Sequence, residues 1–204
     1  MNTDNYALIT KEFARTIWTK FIKALEEYHL IDDGDIIYLH KTDDAKQTLA
    51  NRLVEMTARY KMRSITITYD RDAEYNKTVE NDSFHDIIYN NLWEMVYNGR
   101  IHSKVPKYQK EGHVTTIRPL CLIRDEHIQE WQQATGEEFL EPAMTVEKEQ
   151  LAHIKSIVDK LAANNDSVEN NIFASMSNVD IEMLPGHIED GIYHNFLEWY
   201  NQES

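Results

Sequence analysis

Ile36-Ile37-Tyr38-Leu39 is a short, nearly continuous apolar run, framed by the turn-forming Asp32-Asp33-Gly34-Asp35 on one side and a helical pattern on the other. Such a run suits a strand buried on both faces, because the usual alternation disappears when neither face meets water. Strands of that type belong to sheets covered by helices above and below. The run therefore commits the chain to an α/β layer.

The flanking segments agree. Residues 11–29 read as an amphipathic helix: Phe13, Ile17, Phe21 and Leu25 recur at i+4, and Ala14, Trp18 and Ile22 widen the stripe. A second helix over 44–60 carries Leu49, Leu53, Met56 and Tyr60 on one side. Ser64 to Tyr69 alternates as a strand, and Asp70 to Asn81 shows no periodicity. A third helix starts at Asp82 or Ser83 and runs through Phe84, Ile88, Leu92 and Met95 to the stop at Asn98-Gly99. Val114 to Ile117 is a third strand, closed by Pro119. Asp125 caps a helix with Ile128 and Trp131 that Gly136 ends, and a last long helix from Thr145 presents Leu151, Ile154, Val158 and Leu161. This order predicts a small, mostly parallel sheet of three strands in a domain over 1–143, with a helix and tail over 144–204 packing on it.

Composition sets limits on function. A 42% hydrophobic and 10% aromatic content supports a core. No apolar run approaches the ~20 residues that span a bilayer, and the opening MNTDNYALITKEF lacks the basic-then-apolar layout of a signal peptide, so a cytoplasmic protein without membrane contact is expected. The lone Cys121 allows no internal disulfide and no cysteine ligand set. The nine histidines show no H-x-x-x-H spacing, so no metal site is expected. The net charge of −14 opposes nucleic acid, whose binders depend on Lys and Arg to neutralise phosphates.

One stretch carries a family resemblance. Tyr97-Asn98-Gly99-Arg100, Lys104, Pro106-Lys107, Ile117-Arg118-Pro119-Leu120 and Ile123-Arg124-Asp125 fall in the order of the second half of the tRNA 2-thiocytidine biosynthesis (TtcA-type) PP-loop ATPases. Leu30 to Ile37 is similar to that family's entry into its first strand, and Val168 to Phe173 with Asn178-Val179 resembles the carboxyl end of a TtcA-like subgroup. The resemblance implies a reduced Rossmann-like PP-loop (HUP-type) sheet flanked by helices, with a C-terminal helical extension. It also locates the family's chemistry: a Ser-Gly-Gly-Lys-Asp-Ser loop that cradles ATP phosphates, paired cysteines for an iron–sulfur cluster or sulfur transfer, and a His-His-Phe-Asp-Asp-like motif.

Aligned without gaps, the phosphate loop falls on Thr42, Asp43, Asp44, Ala45, Lys46 and Gln47. Phosphate binding needs glycines, so that backbone N–H groups can approach the anion, and a nearby cation. Here Asp43 and Asp44 stand at the glycines and Ala45 at the lysine. Both aspartates serve as helix caps instead. ATP binding is not expected, and without the cysteine pairs neither is an iron–sulfur cluster. Cys121 reads as a small core residue. The third motif survives as Asp82-Ser83-Phe84-His85-Asp86, with His85 expected to be exposed in a first helical turn. Catalytic residues are therefore not assigned.

Arg100, Lys104, Lys107 and Lys110, with His102 and His113, form a basic segment that the resemblance places near the tRNA-facing side, and Arg118 and Arg124 match family positions. The six lysines and arginines among them are candidates for nucleic-acid or partner contacts, or else balance acids within the fold. The expected function is that of a non-catalytic relative acting as a binding or regulatory protein, as a homodimer or with an active PP-loop paralogue. The alternative is a residual adenine-nucleotide-binding or tRNA-modification enzyme, with tRNA disfavoured by the net charge.

Overall fold

The computed structural model describes residues 14–109, 113–136 and 145–200. A π-helical turn, Ala14–Trp18, leads into α1 (Thr19–Glu27). Then follow β1 (Ile36–Tyr38), α2 (Ala45–Arg59), β2 (Thr66–Thr68), β3 (Lys77–Val79), α3 (Phe84–Tyr97), β4 (Lys107–Tyr108), β5 (Thr115–Ile117), α4 (Asp125–Thr135) and α5 (Val146–Ala162). Phe13 and Lys110 lie outside the described residues.

The sheet has five strands in the order β2-β1-β3-β5-β4. β1 runs parallel to both β2 and β3, with Ile37 opposite Ile67 on one side and Lys77 on the other. β5 is parallel to β3, and only β4 is antiparallel. Ile37 is fully buried, as an interior strand demands, and the expected parallel pairing of the first two strands holds. The middle of the sheet, however, is β3.

That strand lies inside the polar stretch that showed no periodicity. Lys77-Thr78-Val79 reads as loop because a lysine opens it, yet Lys77 is buried. Its ammonium is 2.5 Å from Asp35, 3.0 Å from Asp32 and 3.0 Å from the Leu30 carbonyl, so tertiary partners satisfy a charge that local pattern places in water. β4, with only two residues, is too short to carry any pattern. The expected three strands are thus five.

Helix faces follow the predicted spacing in their central turns, but Met95 and Leu161, expected on the apolar faces of the third and last helices, lie near the helix ends and are exposed. Ile17, Phe21 and Leu25 are buried, as are Leu49, Leu53 and Met56 of α2, whereas Tyr60 is half exposed and meets Trp18 edge-on. Ile87 and Ile88 of α3, Ile128 of α4, and Ile154 and Val158 of α5 complete the core.

The chain divides into two compact units between Lys160 and Leu161, in the last turn of α5. In the second unit, α6 (Val168–Ser175) and a 3-10 turn (Ile181–Met183) precede a hairpin of β6 (Gly186–Glu189) and β7 (Ile192–Asn195), then α7 (Phe196–Tyr200). The C-terminal extension thus has helices as expected, and also a two-stranded sheet. Asp190-Gly191 makes the turn, with φ of 49° and 78°, the paired positive values of a two-residue hairpin loop.

Candidate functional site

The chain leaves β1 for β2 on one side and returns to β3 on the other, so the connections diverge at the carboxyl ends of β1 and β3. In open α/β sheets ligands bind in that crevice, where helix N-termini point. Three helices begin there: α2 after β1, α3 after β3 and α4 after β5.

At α2, Asp44 is the N-cap. Its Oδ2 accepts from the Gln47 amide at 2.8 Å and from Asn81 Nδ2 at 2.9 Å, while the Asp44 amide donates to Thr42 Oγ1 at 3.0 Å. Ala45 is fully buried, and Gln47 donates to Asn51 and to the Val79 carbonyl. The capping role read from sequence therefore belongs to Asp44, and Asp43 is exposed.

At α3 the cap is Ser83, in a reciprocal capping box with Asp86: the Asp86 amide donates to Ser83 Oγ, and the Ser83 amide donates to Asp86 Oδ2 at 2.8 Å. The Ser83 hydroxyl also lies 2.6 Å from Asp125 Oδ1.

At α4 the N-cap position is Arg124, and Asp125, expected as the cap, is instead the first helical residue. Its amide donates to Nδ1 of His85 at 3.1 Å. His85, expected to be exposed, is buried and stacks on Tyr89 with ring centroids 5.6 Å apart. The reason is tertiary: α4 supplies a backbone donor for the ring nitrogen, which a single-helix view does not contain.

Lys46 ties the three ends together. Its ammonium lies 2.5 Å from Asp86 and 3.3 Å from Asp125. Burial lowers its pKa, but the charges of Asp86 and Asp125 outweigh this and raise it, so it is a fixed cation. Burial raises the Asp125 carboxyl; the His85 ring, Lys46 and Ser83 more than offset that and hold it well below the carboxylate range.

Beside this cluster, buried Asp82 takes Lys104 at 2.7 Å and Arg118 Nε at 2.8 Å. Arg118 also pairs with Glu80 and donates to the Val105 carbonyl at 2.7 Å. The other candidate basic residues are spread out. Arg100 binds Glu94 at 2.7 Å, Lys107 reaches the His29 carbonyl and Asp32, and Arg124 lies 4.8 Å above the Phe84 ring. Lys110 is outside the described residues. Lys104 and Arg118 thus meet at one acid, while Arg100, Lys107 and Arg124 sit elsewhere.

Sequence reading missed Lys46, Asn81 and Ser83 as partners within one cluster. A signal existed only for Ser83, whose spacing from Asp86 is that of a capping box.

The comparisons with known proteins bear on this frame. The chain is 29% identical over 133 residues to tRNA-cytidine(32) 2-sulfurtransferase 2 of Francisella tularensis subsp. tularensis, covering 64% of this chain and 51% of the relative. A similar protein from the subspecies novicida is 28% identical over 125 residues, 60% and 48% of the two chains. Over these residues the chain is similar to the tRNA-cytidine(32) 2-sulfurtransferases. It spans about half the length of the curated relatives it matches. No family model matches. Among solved structures, the U34-tRNA thiolase NcsA from Methanococcus maripaludis, described with its [4Fe-4S] cluster, superposes with a TM-score of 0.57 at 8% identity, over 85% of this chain and 81% of that one. That likeness shows the fold, a Rossmann-like α/β sheet flanked by helices.

A triphosphate at α2 needs amides free to meet it, and the Gln47 amide is held by Asp44. An iron–sulfur cluster needs several thiolates, and the single Cys121 is fully buried, its thiol pushed up to about 12 by burial. Among the described residues no group of three or more His, Cys, Asp or Glu is arranged to hold a metal ion. No helix among them is long and apolar enough to cross a membrane.

Proposed function

We propose that this sulfurtransferase relative binds no ATP phosphates and acts as a non-catalytic binding or regulatory protein, cytoplasmic, with an active PP-loop paralogue as its partner. One observation carries the reading: the Asp44 carboxylate occupies the N-terminus of α2, bonded to Gln47 and Asn81, at the place the family resemblance assigns to the phosphate loop. A carboxylate there repels a polyanion and also consumes an amide the anion needs. Two unit charges ~4 Å apart at an effective dielectric of ~20 interact by roughly 4 kcal/mol, before solvent screening reduces it. The one nearby cation at the loop itself, Lys46, is already neutralised by Asp86 and Asp125.

A homodimer is the less favoured partner, because each copy carries a net charge of −14. Calorimetric titration with ATP and with AMP tests the nucleotide half of the reading. Neither heat nor saturation is expected with ATP, and tight ATP binding by the unmodified chain refutes it. Replacing Asp43 and Asp44 with Gly and Ala45 with Lys is expected to restore measurable phosphate affinity.

A further inference from the structure

The second compact unit has an unusual composition. Residues 161–204 contain eight acids and none of the 21 lysines and arginines, so more than half of the net charge of −14 sits in this segment. The same segment exposes large apolar side chains. Met183 is 82% exposed and Ile188 72%, and Ile192, Tyr193, Phe196 and Leu197 are also exposed.

None of the residues 161–198 reaches the buried class. An isolated two-stranded hairpin is at best marginally stable in water, and independent stability needs a covered hydrophobic face. Ile188 and Tyr193 face each other across the β6–β7 register and are both exposed, so one side of the hairpin presents apolar area. Exposed area of this kind marks an interaction surface.

Charge selects the occupant. Nucleic acid is disfavoured because eight carboxylates stand in a segment without lysine or arginine, where His187 and His194 pair with acids, Glu189 and Glu198. A second copy is disfavoured: its own 161–204 segment is equally acidic, and Arg100, Lys104, Lys107 and Arg118 already pair with acids of their own chain. What remains is a basic protein face with apolar residues among its cations. Surfaces that bind RNA have that chemistry, since lysine and arginine neutralise phosphates and aromatic or apolar groups receive bases.

We infer that residues 161–198 dock on the RNA-binding face of a partner sulfurtransferase and compete there with tRNA. The acids take the place of phosphates, and the hairpin's apolar side chains take the place of bases. This rests on the partner half of the function proposed above, not on its nucleotide half, so an ATP titration leaves it untouched.

The test uses the full-length chain with the tRNA-cytidine(32) 2-sulfurtransferase of the same organism as the probe, read by amide hydrogen exchange and fluorescence anisotropy. In the free chain, amides over 168–198 are expected to exchange far faster than those of α2 and α3. The sulfurtransferase is expected to slow them, with affinity falling at least about tenfold between low and high salt, and excess tRNA is expected to reverse the protection. Ile188→Lys with Tyr193→Lys, both at exposed positions, is expected to abolish binding while α2 and α3 keep their protection. The inference is overturned if the free chain already protects 168–198 as strongly as its core. It also fails if tRNA alone or higher concentration of the chain itself gives the protection, or if the sulfurtransferase gives none.

Discussion

The Lys46 ammonium lies 2.5 Å from Asp86 Oδ2, so the first turn of α2 is ionically joined to the residue that closes the capping box of α3. One cation thereby holds two helix starts together, and through Asp125, at 3.3 Å, it holds a third.

Removing that cation leaves two carboxylates facing each other. The Lys46→Met variant is expected to lose about 2 kcal/mol of unfolding free energy, between the ~1 kcal/mol of exposed pairs and the ~3–5 kcal/mol of fully buried ones. Urea denaturation measures it. A midpoint equal to wild type removes Lys46 from any structural role.

Acid should destabilise the protein in a defined direction. Asp32 is held below its ordinary value by its hydrogen bond to Lys77; Asp82 is raised by burial but lowered more by Lys104 and Arg118; Asp125 is lowered as described. A carboxyl with a depressed folded pKa contributes stability that is complete above its unfolded value, about 3.9, and is lost as the pH falls through the folded one. The urea midpoint is therefore expected to be level from pH 7 to 5 and to drop below about pH 4. Asp125→Asn is expected to flatten the drop, and a level profile down to pH 3 contradicts the assignment.

Cys121 is expected to resist alkylation. Its thiol is buried and pushed up to about 12, so iodoacetamide at pH 8 should modify it only after denaturant is added. The same isolation predicts a colourless protein without stoichiometric iron. Rapid labelling of the native chain, or absorbance near 400 nm with bound iron, argues against a core thiol.

The cap at α2 can be separated from its charge. Asp44→Asn keeps an acceptor for the Gln47 amide and should cost little, whereas Asp44→Ala is expected to cost about 1 kcal/mol. Equal losses in the two variants, read by thermal or urea unfolding, show that charge rather than capping is the function of this side chain.

The sequence by itself determined the elements whose signals are local. Ile36 to Leu39, the i+4 spacing of Ile17, Phe21 and Leu25, and the Asp44 and Ser83 caps each depend on neighbours within one or two turns, and each holds. The absence of glycine from residues 42–47 was equally legible, because a side chain is present or absent whatever the fold. Only the tertiary structure decided the rest. β3 is a strand because Asp32, Asp35 and the Leu30 carbonyl, more than 40 residues away in sequence, satisfy the ammonium of Lys77. His85 is buried because the Asp125 amide meets its ring, and Lys46 is a hub because α3 and α4 bring their acids to it. A buried polar side chain takes its energy from partners, and when those come from distant segments no local periodicity records them.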